Sequence, residues 1–394
     1  MVDVVAAGHL CLDMIPQISR SVAESDAFLA PGRLSEVGPL VLATGGAASN
    51  TGLALHRLGL DVRLAARVGD DRIGELILGL IANRDPQLIE GINVASGEAS
   101  SYTIVINPPG IDRTFLHCAG TNHTFGLDDL PKALLRETRL FHLGYPPLMR
   151  RLYQNGGQEL VAMLRWAGEL GATVSLDMAM PDPAGPSGRV DWRALLAGAL
   201  PEVDLFVPSV EETLFMLRRK RFDALSRSGG ELLDELAVEE VSSLGEEALG
   251  LGARIVLLKL GHRGLYLRTA PDLISHSLGR GGPADSLAWS GRELWTPSFA
   301  VEVVGTTGAG DAAIAGFMAG VLRGAGPEEA ITWSAAVGAC NVETADATSG
   351  VKGWEETLTR VRGGWHRRPM TIDSTGWRWD DDALLWRGPH DLER

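Results

Sequence analysis

Cysteine is scarce: Cys11, Cys118 and Cys340 are the only three in a chain of 394 residues. They are odd in number, widely spaced and form no C-x-x-C, which argues against a disulfide framework or a zinc site and predicts reduced thiols in a cytoplasmic protein. Cationic residues are in deficit, with 36 Lys and Arg against 50 Asp and Glu and a formal net charge of −14. No basic stripe is present, so a nucleic-acid partner is not expected. Long apolar runs are missing too. The longest, near 312–322, falls short of the ~20 residues that a membrane span needs, and Met1-Val2-Asp3 opens without a basic n-region, so neither a membrane partner nor a secretory signal is expected. G-x-x-x-x-G-K-[ST], H-E-x-x-H and G-x-S-x-G do not occur, and the nine histidines show no metal-ligand spacing.

What the chain does have is 45% hydrophobic residues, ample for a large core in one or two domains, and 48 glycines. That glycine content exceeds the usual ~7% and suits a fold with many tight turns beside ligands. The rest is organised around Val301–Leu322. Phe299, Val301 and Val303 alternate as in a strand, and the apolar run continues to Val304. A turn follows, Gly305-Thr306-Thr307-Gly308-Ala309-Gly310, and then a helix marked by Ile314, Phe317, Met318, Val321 and Leu322 at i, i+3, i+4, i+7 and i+8. Free amides at such a helix start attract an anion, and glycine lets a phosphate approach closely. Asp311 would repel that anion, which makes sense if it is a base for a hydroxyl attacking the phosphate. Asp is also a good helix cap, and the local pattern leaves the two roles evenly open. Gly308, Gly310 and Ala313 also fit the dinucleotide pattern G-x-G-x-x-A, but the acidic strand end expected ~20 residues on is replaced by Gly326-Pro327-Glu328-Glu329, which reads as a helix start.

In chain order, residues 2–8 read as a buried strand, with Asp13 in the next segment. Residues 17–40 read as loop with one or two exposed strands. Thr44-Gly45-Gly46-Ala47-Ala48-Ser49-Asn50 leads into a helix, and Val62–Val68 reads as a strand. Residues 100–119 have two β-rich arms around Asn107-Pro108-Pro109-Gly110, a hairpin signal. Strands at 140–143, 173–176, 205–207 and 254–260 alternate with helical segments, and 222–252 reads as a charged helical insertion. The pattern predicts a mostly parallel sheet covered by helices, with ligands at the carboxyl ends of its strands. Five of the ten tryptophans, Trp354, Trp365, Trp377, Trp379 and Trp386, fall in the last 41 residues. Rings of this size bury against something, so 364–394 is expected to pack on the body or on a partner subunit.

These motifs together resemble the ribokinase-like (phosphofructokinase B type) carbohydrate kinases over roughly residues 3–352. Gly305–Asp311 is similar to the family's D-T-x-G-A-G-D, Gly45, Gly46 and Asn50 to its N-terminal signature, and Val68-Gly69-Asp70-Asp71 with Gly74 to V-G-D-D-x-x-G. The resemblance implies a three-layer α/β sandwich, with helices on both faces of the sheet and a small β lid from about 14–44 and 98–122. The kinase domain would be 1–363 and the Trp-rich extension 364–394. It implies that Asp311 is the base and that the amides of Gly308, Ala309 and Gly310 form the anion hole. Asp13, Gly45, Gly46 and Asn50 would bind acceptor hydroxyls, and the strand-loop Lys259-Leu260-Gly261-His262-Arg263-Gly264 would lie along ATP, with Thr307 and Ser209 nearby. Glu212 would hold Mg2+ through water, with Glu211 as the alternative. A homodimer through the lid is also implied.

Three residues depart from that pattern. Ser209 replaces the usual Asn. Gly305 replaces an Asp associated with a monovalent-cation site, which argues against potassium activation. Gly144-Tyr145-Pro146 lacks an acid that some sugar kinases use there, so the acceptor should not be read as ribose is. The expected activity is direct in-line phosphorylation of a hydroxyl, a primary one, on a small sugar or sugar-like alcohol. The alternatives are a nucleoside kinase, with Tyr102 and Phe115 supplying a slot for the base, and a sugar-binding regulator without catalysis.

Overall fold

The computed structural model describes residues 1–24, 28–109 and 114–392. Among the described residues, fifteen strands and the helices between them follow from apolar runs cut by turns. In order, β1 is Val2–Gly8, β2 Cys11–Pro16, β3 Leu40–Gly45, β4 Val62–Gly69 and β5 Gly91–Ala95. Next come β6 Tyr102–Ile106, β7 Thr114–Cys118, β8 Thr138–Gly144, β9 Thr173–Leu176 and β10 Leu205–Phe206. The last five are β11 Ile255–Lys259, β12 Leu265–Thr269, β13 Glu293–Thr296, β14 Arg378–Asp380 and β15 Leu385–Arg387. Eleven of them form one sheet in the order β14-β15-β13-β12-β11-β10-β9-β8-β1-β4-β5. It is parallel from β5 to β11 and antiparallel from β11 to β14.

Both faces of this sheet are covered, which is why its strands are almost continuously apolar. Along β1, Val4 and Ala6 pack into one core and Val5 and Ala7 into the other, and Ile255 and Leu257 alternate with Val256 and Leu258 in β11. The first core also takes the helix Ala309–Leu322, whose residues from Asp311 onward are all buried. A helix apolar on every side belongs in the interior. It packs on the helix Pro327–Asn341 through small residues; a Cβ on Gly316 would come within 2.9 Å of the Trp333 carbonyl.

A second sheet, β3-β2-β6-β7, joins the segment after β1 to the hairpin of β6 and β7. Within its predicted turn, Gly110 lies outside the described residues.

One expected strand is absent. Residues 299–304 are irregular, with only Phe299 bridging Arg367. The alternation there serves a cavity rather than a sheet: Phe299 is buried, while Val303 and Val304 stay more than half exposed. Five strands were not anticipated: β5, β12, β13 and the C-terminal pair β14 and β15.

That C-terminal pair, β14 and β15, continues the main sheet beyond β13, with Trp386 opposite Trp295. Trp377 packs edge-on against Trp295 at 5.9 Å, and Trp365 stacks on Phe299 at 4.4 Å. Charge fastens the edge as firmly as the rings do. Asp391, whose side chain is 1% exposed, pairs with Arg292 at 2.7 Å and with Arg387 at 3.0 Å, and Arg387 also reaches Asp380 at 2.7 Å and Glu328 at 3.0 Å. Removing one partner of a buried charge network leaves the others uncompensated. Asp391→Ala is expected to cost about 3 kcal/mol, measured as a lower midpoint in urea unfolding.

Candidate active site

The turn Thr306–Gly308 delivers its residues to the start of the helix Ala309–Leu322. Gly308 has a positive φ of 70°, and a Cβ there would lie 2.3 Å from the Ala347 carbonyl, so only glycine fits. Asp311 follows in the first helical turn and is 3% exposed. Its carboxylate accepts hydrogen bonds from Asn50 Nδ2 at 3.0 Å and Thr51 Oγ1 at 3.2 Å, both on the helix Ala47–Arg57. The Tyr145 hydroxyl donates from the end of β8 and stands 2.9 Å from each carboxylate oxygen. Burial raises the Asp311 pKa, opposed by Lys259 and by the donors Asn50, Tyr145 and Thr51. Tyr145 holds a left-handed backbone, φ 65° and ψ 41°. For a residue with a Cβ this costs of order 1–3 kcal/mol and clusters at functional sites.

Asp311 and Tyr145 wall one side of a cavity of about 510 Å³. Gly308, Ala309, Gly310, Lys259, Gly261, Gly264, Ser209 and Glu212 line it as well, so most of the expected nucleotide-side residues converge. Thr307 is not among the lining residues; its carbonyl accepts from Asn341 Nδ2 at 3.0 Å. Lys259 Nζ donates to Asp177 Oδ1 at 2.6 Å and to the Val207 carbonyl at 2.7 Å. Burial pushes the Asp177 carboxyl upward, with Lys259 opposing and Glu212 and Asp311 adding to the rise.

Ser209 and Glu212 form a capping box at the helix Val210–Leu217, the Ser209 amide donating to Glu212 Oε2 at 2.7 Å. The bond engages one Glu212 oxygen and leaves Oε1 for another partner. Among the described residues no group of three or more His, Cys, Asp or Glu could hold a metal alone. Such a donor set fits Mg2+, which keeps several waters and takes one or two carboxylates together with substrate phosphates.

None of the expected acceptor residues lines this cavity; Asp13 and Gly45 belong to the second sheet, and Gly46 and Asn50 follow it into the helix Ala47–Arg57. A Cβ on Gly45 would sit 2.3 Å from Asp13 Oδ2, and one on Gly46 would sit 2.5 Å from His9 Nδ1, so side-chain-free positions are required beside both. Asn50 touches Asp311 directly. Burial raises the Asp13 pKa. His9 Nε2 meets His117 Nε2 of β7 at 3.2 Å, and His117 Nδ1 meets Thr103 Oγ1 of β6 at 3.0 Å, so the second sheet touches the main body at this point. His9, Thr51, Tyr145, Asp177 and His117 were not singled out from the sequence. His9, Tyr145 and Asp177 directly follow β1, β8 and β9, where the carboxyl-end rule already pointed.

Comparison with known proteins follows this geometry. Residues 2–353 match the model of the pfkB family carbohydrate kinases. The chain is 26% identical over 223 residues to "Probable fructokinase-2" of Arabidopsis thaliana, covering 56% of this chain and 63% of that relative, so the match spans less than two thirds of its length. It is 26% identical over 345 residues to the ATP-dependent ribose-1-phosphate kinase of Halopiger xanaduensis, covering 86% of this chain and 91% of that one. The solved structure of Arabidopsis thaliana ribokinase with ribose and ATP superposes with a TM-score of 0.68 at 18% identity, over 91% of this chain and 98% of that one.

Two buried imidazoles give the site region a pH signature. Burial lowers the pKa of both His9 and His142 from 6.5 to about 3. His117 and His123 add to the effect at His9, and Lys259 adds to it at His142. Between pH 6.5 and about 3 the unfolded chain binds protons that the folded chain does not. Stability is therefore lost as pH falls through that window, by about 1.4 kcal/mol per pH unit for each group. His142→Gln is expected to remove one such contribution from the slope of unfolding free energy against pH, whatever it does to absolute stability.

Proposed function

Because the chain belongs to the pfkB family of carbohydrate kinases, we propose that it transfers the terminal phosphoryl group of ATP to a primary hydroxyl of a small sugar or sugar-like alcohol. The observation that carries this reading is Asp311. It is a buried carboxylate at a glycine-rich helix start, lining a cavity of about 510 Å³ and bonded to Asn50, which follows Gly45 and Gly46 in the chain. A carboxylate in that place repels phosphate unless it takes a proton.

In the proposed reaction the acceptor hydroxyl approaches from the second-sheet side. Asp311 takes its proton, the oxygen forms a bond to the γ-phosphorus, and the bond from that phosphorus to the ADP oxygen breaks. The amides of Gly308, Ala309 and Gly310 stabilise charge gathering on the transferred group. Asn50, Thr51 and Tyr145 keep the base ionised and aimed. Magnesium, when bound, neutralises phosphate charge, and Glu212 would hold it through water. Gly305 carries no carboxylate, so turnover without potassium is expected. The second sheet would act as the lid, excluding water once the acceptor is seated. Its exposed Leu40, Val41, Phe115 and Leu116 support a homodimer contact on the same element. The three free cysteines suit a cytoplasmic protein.

The test is ADP release from Mg-ATP across sugars, polyols, sugar acids and nucleosides. A sugar-dependent signal is expected, and nucleoside-only turnover would replace the sugar reading with the nucleoside one. Asp311→Asn should lower kcat by about 10²–10⁴-fold with folding intact. Tyr145→Phe removes a donor that favours the ionised base, so Asp311 should hold its proton to higher pH. The acid limb of the pH–rate profile should move upward, and an unmoved limb would detach Tyr145 from the base.

A further inference from the structure

The nucleotide-side cavity has a wall that comes from beyond the family match, which ends at residue 353. Residues 366–368 run antiparallel to 298–300: the Ala300 amide donates to the His366 carbonyl and the Arg368 amide to the Ser298 carbonyl, each at 2.8 Å. The wall is anchored on both sides. Trp365 stacks on Phe299, and the Arg360 guanidinium covers Trp365 at 3.6 Å. Arg367 lies over Phe299 at 4.6 Å and donates to Thr332 Oγ1 at 3.1 Å.

The two adjacent arginines are used differently. Arg367 is sewn into the body, whereas Arg368 lies on the cavity lining with an exposed side chain. Neither an ion pair nor a side-chain hydrogen bond engages it among the described residues. It sits beside Ser298, against which Gly264 is packed; a Cβ on Gly264 would come within 2.8 Å of the Ser298 amide. Charge in the cavity makes this position matter. Asp177, Glu211, Glu212 and Asp311 are four carboxylates in the lining, and Lys259 is already paired with Asp177. A polyanion entering such a space needs an uncommitted cation.

We infer that Arg368 is a nucleotide-binding residue, supplied by the C-terminal extension to hold the polyanionic nucleoside triphosphate beside the Gly261–Gly264 turn. The inference rests on the kinase reading above and gives the extension a part in the site. A planar guanidinium with five donors suits phosphate and ribose oxygens better than a lysine would.

Calorimetric titration of the full chain with Mg-ATP tests this without knowledge of the acceptor. Arg368→Ala is expected to weaken binding roughly three- to tenfold, as for a partly exposed charge-assisted contact. Arg368→Glu should weaken it further and Arg368→Lys should recover part of the loss, with the unfolding temperature of the ligand-free protein unchanged throughout. Wild-type affinity in Arg368→Glu would overturn the inference while leaving the kinase reading intact. A loss that Arg368→Lys does not recover, together with a lowered ligand-free unfolding temperature, would assign the effect to the wall's structure and overturn it too. If the unmodified chain failed to bind Mg-ATP, the kinase reading would fall, and this inference with it.

Discussion

The centre of this molecule is organised around one buried carboxylate and the donors that satisfy it. Asp311 lies in the first turn of a helix whose residues are buried from there on, and burial raises its pKa, favouring the protonated form. Three donors counter that pressure, and they come from distant parts of the chain: Asn50 and Thr51 from one helix, Tyr145 from the end of β8. Satisfying the carboxylate therefore fixes how the Ala47–Arg57 helix, the centre of the main sheet and the Ala309–Leu322 helix sit against one another. Stability and chemistry draw on the same contacts here, and so a strained tyrosine backbone is tolerated.

A second layer of charge surrounds the first. Lys259 lies between Asp177 and the Gly308–Gly310 turn, tied to a carboxylate and a carbonyl, so its ammonium is held in a fixed orientation. Preorganised charge of this kind needs no rearrangement during reaction, which makes it more effective than the same charge in water. Toward the second sheet the character changes. There two imidazoles, a threonine and the half-buried Asp13 meet glycine backbone.

Much of this was legible from residue order. The parallel strands announce themselves because a sheet covered on both faces is apolar on both faces, as in β1 and β11. Gly46 and Gly308 stood out because short motifs mark backbone positions with positive φ that favour glycine. Residues 299–304 misled for a physical reason: alternating apolar side chains look the same whether they face a neighbouring strand or a ligand cavity. Tyr145 stayed hidden because its role depends on a left-handed turn that places its hydroxyl at Asp311, 166 residues away in sequence. The edge strands β14 and β15 are three residues each, too short for periodicity to register.

The extension also closes one edge of the main sheet. The main sheet grows outward from β1, which lies beside β4 and β8, while its far edge is closed by strands from the last part of the chain. An intermediate folded only to residue 363 would already hold the phosphate turn and Asp311, yet it would lack the 366–368 wall and leave β13 as an open strand edge. Such edges pair readily with other chains. The C-terminal tryptophans and arginines thus cover the open border of the sheet with the same stretch of chain that walls the cavity, so one segment both guards against edge pairing and shapes that space.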